Sequence, residues 1–399
     1  MSDFDIIIAG RGPAGLAAAC LLAGDGRRLA LIGPRQVGDD PRTVALMQPS
    51  IRLLETIGLW PSALRQATAP LKRLRMVDDT QSVVSAPELI FDSSEIGEEA
   101  FGWNIPLSLL IPTLDERARE LGVSLLEADV TSASPGGKAI AIQTSTGQSL
   151  AARLIIAADG RGSILRDTAG IHTNTWSYDQ VALATSFAHS GNHQNISTEY
   201  HRAAGPCTTV PMPGGRSALV WMERPARAAE LMALSGQDLA REIQLAIHGE
   251  LGRVSDIGPR RAFPMQGLVA RQFAAHRIML VGEAAHVVPP IGAQGLNMSL
   301  RDAAFAADCI QGTDDPGAPP ILAAYDKARR RDIQPRQQAI DLMNRSLLSG
   351  FVALAAGRTL GLSLVANFPP LRRHMMKQGI GTGLDLPPSM QGPRHGTAP

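Results

Sequence analysis

Cysteine is scarce in this chain of 399 residues: Cys20, Cys207 and Cys309 lie far apart and form no CxxC pair. An odd number at such spacing argues against a disulfide framework or a zinc site, and makes the cytoplasm the expected compartment. An excess of one charge is also missing. Lys+Arg 38 against Asp+Glu 37 leaves +1, so no overall field draws the chain to nucleic acid. There is no internal repeat and no GxSxG nucleophile turn. His189, His193 and His201 fall in a polar region without the periodicity of metal ligands. The start, MSDFDIIIAGRG, has neither the basic beginning nor the long apolar stretch of a signal peptide.

Long hydrophobic runs are almost absent. The exception is Phe351 to Phe368, FVALAAGRTLGLSLVANF, which is apolar apart from Arg358. Its 18 residues sit at the low edge of what spans a bilayer, and it holds two internal glycines. The first reading is a core or docking helix. The alternative is a helix lying on a membrane surface, supported by Arg372, Arg373, His374 and Lys377 just beyond.

What is present is 44% hydrophobic residue and 39 glycines, a globular composition rich in tight turns. The length suits two or three packed subdomains. DFDIIIAG reads as a buried strand, Pro13 to Ala23 as a helix and RRLALIG as a second strand, a βαβ opening. Residues 41–70 read as helices, as does Leu114 to Leu121, and VSLLEADVTSA reads as one strand. Val181 to Glu223 has the alternation and Pro-Gly-Gly break of an antiparallel sheet. A helix follows near Ala226 to Glu250. RIMLVGEAAH is again a buried strand, with helices after Gly295, and the tail from Gly379 reads as loose.

Three motifs carry chemistry. Gly10-Arg11-Gly12-Pro13-Ala14-Gly15 follows a strand and opens a helix. There glycines let the backbone approach a pyrophosphate, and the helix N-terminus offers unpaired N–H donors. The acid expected at the end of the second strand is replaced by Gly33. Arg35 close by is either a 2′-phosphate contact or a plain surface arginine. The second motif is IIAADGRGSILR, with Asp159-Gly160 at a strand end. The third is MLVGEAAHVVPPIGAQGLNMSL, Met279 to Leu300, with one acid, one histidine, a Pro-Pro pair and a glycine turn leading into a helix.

Together with DPRTVAL, GLW, NIP and GPCTTVPM, these motifs resemble the FAD-dependent aromatic hydroxylases with the p-hydroxybenzoate hydroxylase type of fold. The likeness is nearest to the flavin hydroxylases of ubiquinone biosynthesis, and it covers nearly the whole chain. The resemblance implies an α/β fold in which a Rossmann-like FAD-binding domain is interleaved with an antiparallel-sheet substrate domain, with helices at the C-terminal end. The expected FAD-binding parts are 1–70, 101–177 and 275–345, and the sheet domain 71–100 and 178–274. Residues 346–399 form a C-terminal helical segment and loose tail.

By the same resemblance Gly10, Gly12, Pro13, Ala14 and Gly15 face the FAD pyrophosphate, Arg42 reaches toward FAD, and Val130 touches adenine through its backbone. Asp159 and Gly160 lie near the cofactor. Gly282, Glu283, Pro289, Gly292, Gln294, Gly295, Leu296 and Asn297 wrap the ribityl chain and flavin ring. Val210, Pro211, Met212 and Pro290 are expected to line the substrate pocket. The catalytic group is the flavin itself, and His286 is expected to be mainly structural. Two departures stand out beside Gly33. Glu283 stands where the family usually has Asp, and Ala293 where it usually has Gly. Since alanine tolerates positive φ poorly, that turn is expected to take another conformation.

The implied reaction is hydroxylation of a (poly)prenylated phenol by O₂ through a flavin C4a-hydroperoxide, with NAD(P)H as electron donor. Proteins of ubiquinone biosynthesis and the inner face of a membrane are the implied partners. Other readings stay open: a hydroxylase of a small soluble phenol or polyketide-like aromatic, a reductase of isoprenoid double bonds, and a non-catalytic accessory subunit of a ubiquinone-synthesis assembly.

Overall fold

A computed structural model describes residues 2–36, 40–61, 63–80, 86–348, 364–365, 367–382 and 385–391. The run Phe4–Ala9 (β1) is apolar from Ile6 onward because it is covered on both faces. It pairs in parallel with Leu29–Ile32 (β2), which pairs in turn with Ser124–Leu126 (β3). On its other side β1 pairs in parallel with Ser149–Ala157 (β4), and β4 with Ile278–Leu280 (β5). The helix between β1 and β2, Pro13–Leu22 (α1), starts on a proline whose fixed φ suits a first turn. It packs against Leu107–Glu120 (α2) and Gln294–Ile310 (α3).

A second sheet is almost wholly antiparallel. Its long strand Thr173–His189 pairs with Arg261–Ala270 on one side and Arg216–Glu223 on the other. Cys207–Met212 and Ile196–His201 extend it. Its far edge comes from early sequence: Arg73–Asp78 joins Ile196–His201 in parallel, and Leu89–Asp92 follows. Thr173 to Ser177 and His286–Val287 also belong to this sheet by pairing. A three-stranded sheet of Thr43–Met47, Gly102–Pro106 and Ala69–Pro70 lies between the two larger ones in the chain path. Two further helices, Pro319–Leu348 (α4) and Pro369–Ile380 (α5), complete the frame.

Several sequence expectations change. RTVALM does not begin a helix: Thr43–Met47 is a strand paired with Gly102–Pro106, and the helix begins at Gln48, with Pro49 in its first turn. VSLLEADVTSA is two strands, β3 and Val130–Pro135, separated by the irregular residues Glu127 to Asp129. The helix expected over Ala226 to Glu250 breaks into Pro225–Ala233 and Gly236–Ala246, because Ser235 caps the second through the amide of Asp238. The tail is not loose throughout. Helix α5 runs to Ile380, and Met390 in the turn Pro388–Met390 is fully buried. Most of the apolar run from Phe351 lies outside the described residues. Among the described residues no helix is long and apolar enough to cross a membrane.

Candidate active site

A cavity of about 1240 Å³ opens where the C-terminal ends of β1 and β4 meet the second sheet. That exceeds the volume a single drug-sized ligand needs. Two helix N-termini open onto it, neither capped by a side chain. The first is that of α1, whose N-cap is Gly12. A Cβ at Gly10 would overlap the carbonyl of Ala158, and one at Gly15 would overlap the carbonyl of Gly10. At Gly12 the nearest atom is Gln36 Nε2 at 3.9 Å, so this face stays clear. The loop is packed tightly behind and open in front, which is the shape a diphosphate needs against free amides.

The second is that of α3. Its N-cap is Ala293, with φ 55° and ψ 32°. The expectation that alanine would force a different turn is therefore corrected: the left-handed turn persists with a Cβ in it. What holds it is the side chain of Asn297, whose Nδ2 donates to the Ala293 carbonyl at 2.6 Å and to Ala45 O at 2.8 Å. Its Oδ1 accepts from the Met47 amide and the Ser50 hydroxyl. A Cβ at Gly295 would meet nothing within 4 Å, so the first turn faces open space.

Between these helices the chain passes Gly282, at φ 66°. Its amide donates to Asp302 Oδ2 at 2.8 Å, and the same oxygen lies 2.6 Å from His286 Nε2. Arg329 Nε donates to the other oxygen at 2.7 Å, and Arg329 Nη1 to Asp332 at 3.0 Å. Asp302 and Arg329 are fully buried. Burial pushes the Asp302 carboxyl up, but His286, Arg329 and the Gly282 amide outweigh it and hold it below the ordinary 3.8. Asp332 is likewise held low, with Arg301, Arg329 and Arg336 overcoming burial. His286 thus touches the cavity on one side and a structural ion network on the other.

Asp159 lies on the wall, with Ser163 Oγ donating to it at 2.6 Å and the Leu165 amide at 3.3 Å. Burial raises its pKa despite these bonds. Arg42 is on the wall, paired with Asp40 and stacked 5.4 Å from the Phe263 ring centre. Val130, Gly160, Glu283, Gly292 and Leu296 also line it. Glu283 is half exposed, with Arg161 Nε 4.0 Å away.

Not every expected residue reaches the wall. Asn297 is spent on the bonds just described. Gln294 turns to the Gly292 and Gly379 carbonyls and to Arg336, and Pro289 is off the wall while Pro290 is on it. On Cys207–Met212 the alternation of a strand puts Thr208 and Val210 on the cavity. Pro211 faces away, its carbonyl accepting from Asn104 Nδ2, and Met212 accepts from His193 at the strand end. Leu74, Met76, Phe91 and Val220 join Val210 in an apolar half, closed by Met376 and Ile380 of α5.

Sequence reading missed Arg11, Asp302 and Arg329. Arg11 was visible as a charged residue inside a glycine loop. The other two are single charges in helical stretches, with no local signal that they meet.

The sequence pattern of the FAD binding domain family matches residues 3–338. A protein named ubiquinone hydroxylase UbiL, from Rhodospirillum rubrum, is 32% identical over 403 residues, spanning 97% of this chain and 92% of that protein. The 3-demethoxyubiquinol 3-hydroxylase of Escherichia coli is 27% identical over 94% of this chain and 98% of its own. Among solved structures, p-nitrophenol 4-monooxygenase PnpA from Pseudomonas putida superposes with a TM-score of 0.77 at 18% identity, covering 94% of this chain and 98% of that one. The last likeness shows the fold, the α/β arrangement expected from the motifs.

Proposed function

From the premise that the chain belongs to the FAD binding domain family, we propose that it is an FAD-dependent monooxygenase acting in ubiquinone biosynthesis. Its reaction is hydroxylation of the aromatic ring of a (poly)prenylated phenol. The observation that carries this reading is a single cavity running from two uncapped helix N-termini to an apolar half under α5. The names and coverage of the ubiquinone-hydroxylase relatives support the choice of substrate class.

The residues present fit FAD. Gly10 to Gly15 and the α1 N-terminus would take the diphosphate, and the backbone at Val130 the adenine. Arg42, Asp159, Gly160 and the Gly282-Glu283 turn would flank the ribityl chain. The free amides of the first α3 turn would face the electron-poor end of the ring system, where a helix N-terminus favours negative charge. Bound there, FAD supplies O₂ activation and transfer of one oxygen atom to the ring, using electrons from NAD(P)H. The chain's own part is to orient the ring in the apolar half and keep water from it. Leu74, Phe91, Val210 and Val220 do this from the sheet, and Met376 and Ile380 from α5.

A prenylated substrate is stored in a bilayer, and the outer side of the same mouth suits contact with one. Leu364 and Phe368 are more than half exposed just before α5 (61% and 56%), and Arg373 and Lys377 of that helix are exposed. That arrangement supports peripheral attachment at the inner face of a membrane.

The visible spectrum of the purified protein is the first test. Bands near about 370 and 450 nm with FAD released on denaturation are expected. NAD(P)H oxidation should then be stimulated by a detergent-dispersed prenylated phenol, with one atom of labelled O₂ in the product. A colourless protein that takes up no FAD, or a product without label, would sink the reading.

A further inference from the structure

The carboxylate that normally binds the adenosine ribose sits at the end of the second strand of such a nucleotide-binding unit. Here that position is Gly33, and the structure leaves no room for anything larger. A Cβ at Gly33 would lie 2.7 Å from the Arg11 amide nitrogen and 2.9 Å from the Arg11 Cβ. The glycine loop has settled onto the strand end.

An acid stands one strand over. Ile32 pairs with Leu126, and the Gly33 amide donates to the Leu126 carbonyl at 3.0 Å, so Glu127 is the register neighbour of Gly33. The cavity wall runs through Gly33, Pro34 and Gln36 on one side and Ala128, Asp129 and Val130 on the other; Glu127, 64% exposed, directly precedes the second of these segments. Arg11 fixes its direction. The guanidinium side chain is 1% exposed and gripped from behind by Asp115, Nε to Oδ1 at 2.6 Å and Nη2 to Oδ2 at 3.0 Å. The remaining nitrogen, Nη1, donates to Glu127 Oε1 at 3.4 Å. Arg11 is the sole hydrogen-bonding partner of Glu127 among the described residues. Its other carboxylate oxygen is left for a ligand.

We propose that Glu127 accepts the ribose hydroxyls of the FAD adenosine, in place of the acid missing at position 33, with Arg11 as its positioning residue. The arrangement is reciprocal. The empty position lets the loop sit low, the low loop brings Arg11 to β3, and Arg11 holds Glu127 at the site. The inference rests on the flavin reading given above.

Equilibrium binding tests it without turnover. Flavin fluorescence reports FAD and FMN, and competition reports ADP and 2′,3′-dideoxy-ADP. In Glu127→Gln, FAD and ADP should weaken about tenfold to a hundredfold, the scale of losing hydrogen bonds to a charged acceptor. FMN and dideoxy-ADP, which lack the adenosine hydroxyls, should bind as they do to the wild type. Gly33→Glu should weaken FAD binding although it restores the usual acid, because its Cβ collides with Arg11.

Unchanged FAD and ADP affinity in Glu127→Gln would overturn the proposal. So would an equal loss for FMN, or recovery of FAD affinity when Gly33→Glu is added to Glu127→Gln. If the wild type binds FMN and ADP but not FAD, the flavin reading fails first. If it binds none of the four, both readings fall.

Discussion

Single residues at this site depart from what their positions favour, and the surroundings absorb the departures. Ala293 is held at positive φ, a conformation that costs a non-glycine residue roughly 1–2 kcal/mol. The cost is borne because Asn297 bonds the Ala293 carbonyl and ties it to Thr43–Met47 through two hydrogen bonds and to Ser50 through one. Relief of that cost, less the added freedom of glycine in the unfolded chain, gives a prediction. Ala293→Gly should stabilise the protein by about 0.5–1 kcal/mol in urea unfolding. A lower urea midpoint would mean that packing of the Ala293 methyl beside Met47, Phe101 and Met376 outweighs the strain. The alanine was legible as an anomaly in the sequence, but the turn it adopts was not. Only Asn297, with its partners around 250 residues away, decides it.

At the scale of elements, Asp302 is the point where α3, α4, the Gly282 turn and His286 meet. Breaking a buried pair leaves the other charge without compensation. Arg329→Met should therefore cost about 3–5 kcal/mol in unfolding free energy, while a surface change such as Arg241→Met costs little. A loss under 1 kcal/mol for Arg329→Met would show the network to be dispensable.

The same carboxylates set a pH dependence. Asp302 and Asp332 titrate below 3.8 in the folded protein and near 3.8 when unfolded. The unfolded chain therefore takes up protons first as pH falls. The stability these groups contribute is complete well above pH 3.8 and is lost as pH drops below it toward the folded values. Urea midpoints should fall steeply from pH 4 to 3, and Asp302→Asn should flatten that fall. An identical slope in the variant would remove Asp302 from the account. The resemblance implied a mainly structural His286, and the network supplies a structural partner for it in Asp302, but one aspartate on a helix announces no such partners.

For the molecule as a whole, the cavity is assembled from strand ends, loops and a late helix that are distant in sequence. Its apolar half is closed by α5, on which Arg373 and Lys377, one turn apart, are exposed and off the cavity wall. Closure and membrane contact would then be two faces of one element. Arg373→Glu combined with Lys377→Glu should reduce co-sedimentation with anionic phospholipid vesicles by at least about tenfold, since each basic residue contributes about 1 kcal/mol near such a surface. FAD content should be unaffected, because neither residue lines the cavity. Equal sedimentation of variant and parent would dismiss the membrane face.

The sequence by itself determined the βαβ opening, the glycine loop, the antiparallel block and the flavin-type motifs. Each of these is a local pattern: an apolar run, a glycine where backbone must come close, or alternation along a strand. It also exposed Gly33, Glu283 and Ala293 as departures, since a motif shows its own exceptions. What only the tertiary structure decided is what stands around Gly33 and Ala293 and how the buried charges meet. Glu127 stands beside Gly33 through parallel register, Asn297 holds Ala293, and Asp302 collects His286 and Arg329. It also decided that Thr43–Met47 is a strand, because its partner Gly102–Pro106 lies more than fifty residues away. The physical reason is common to all of them. Pairing across sheets and between buried charges depends on which distant segments meet, and neither periodicity nor spacing along the chain encodes that meeting.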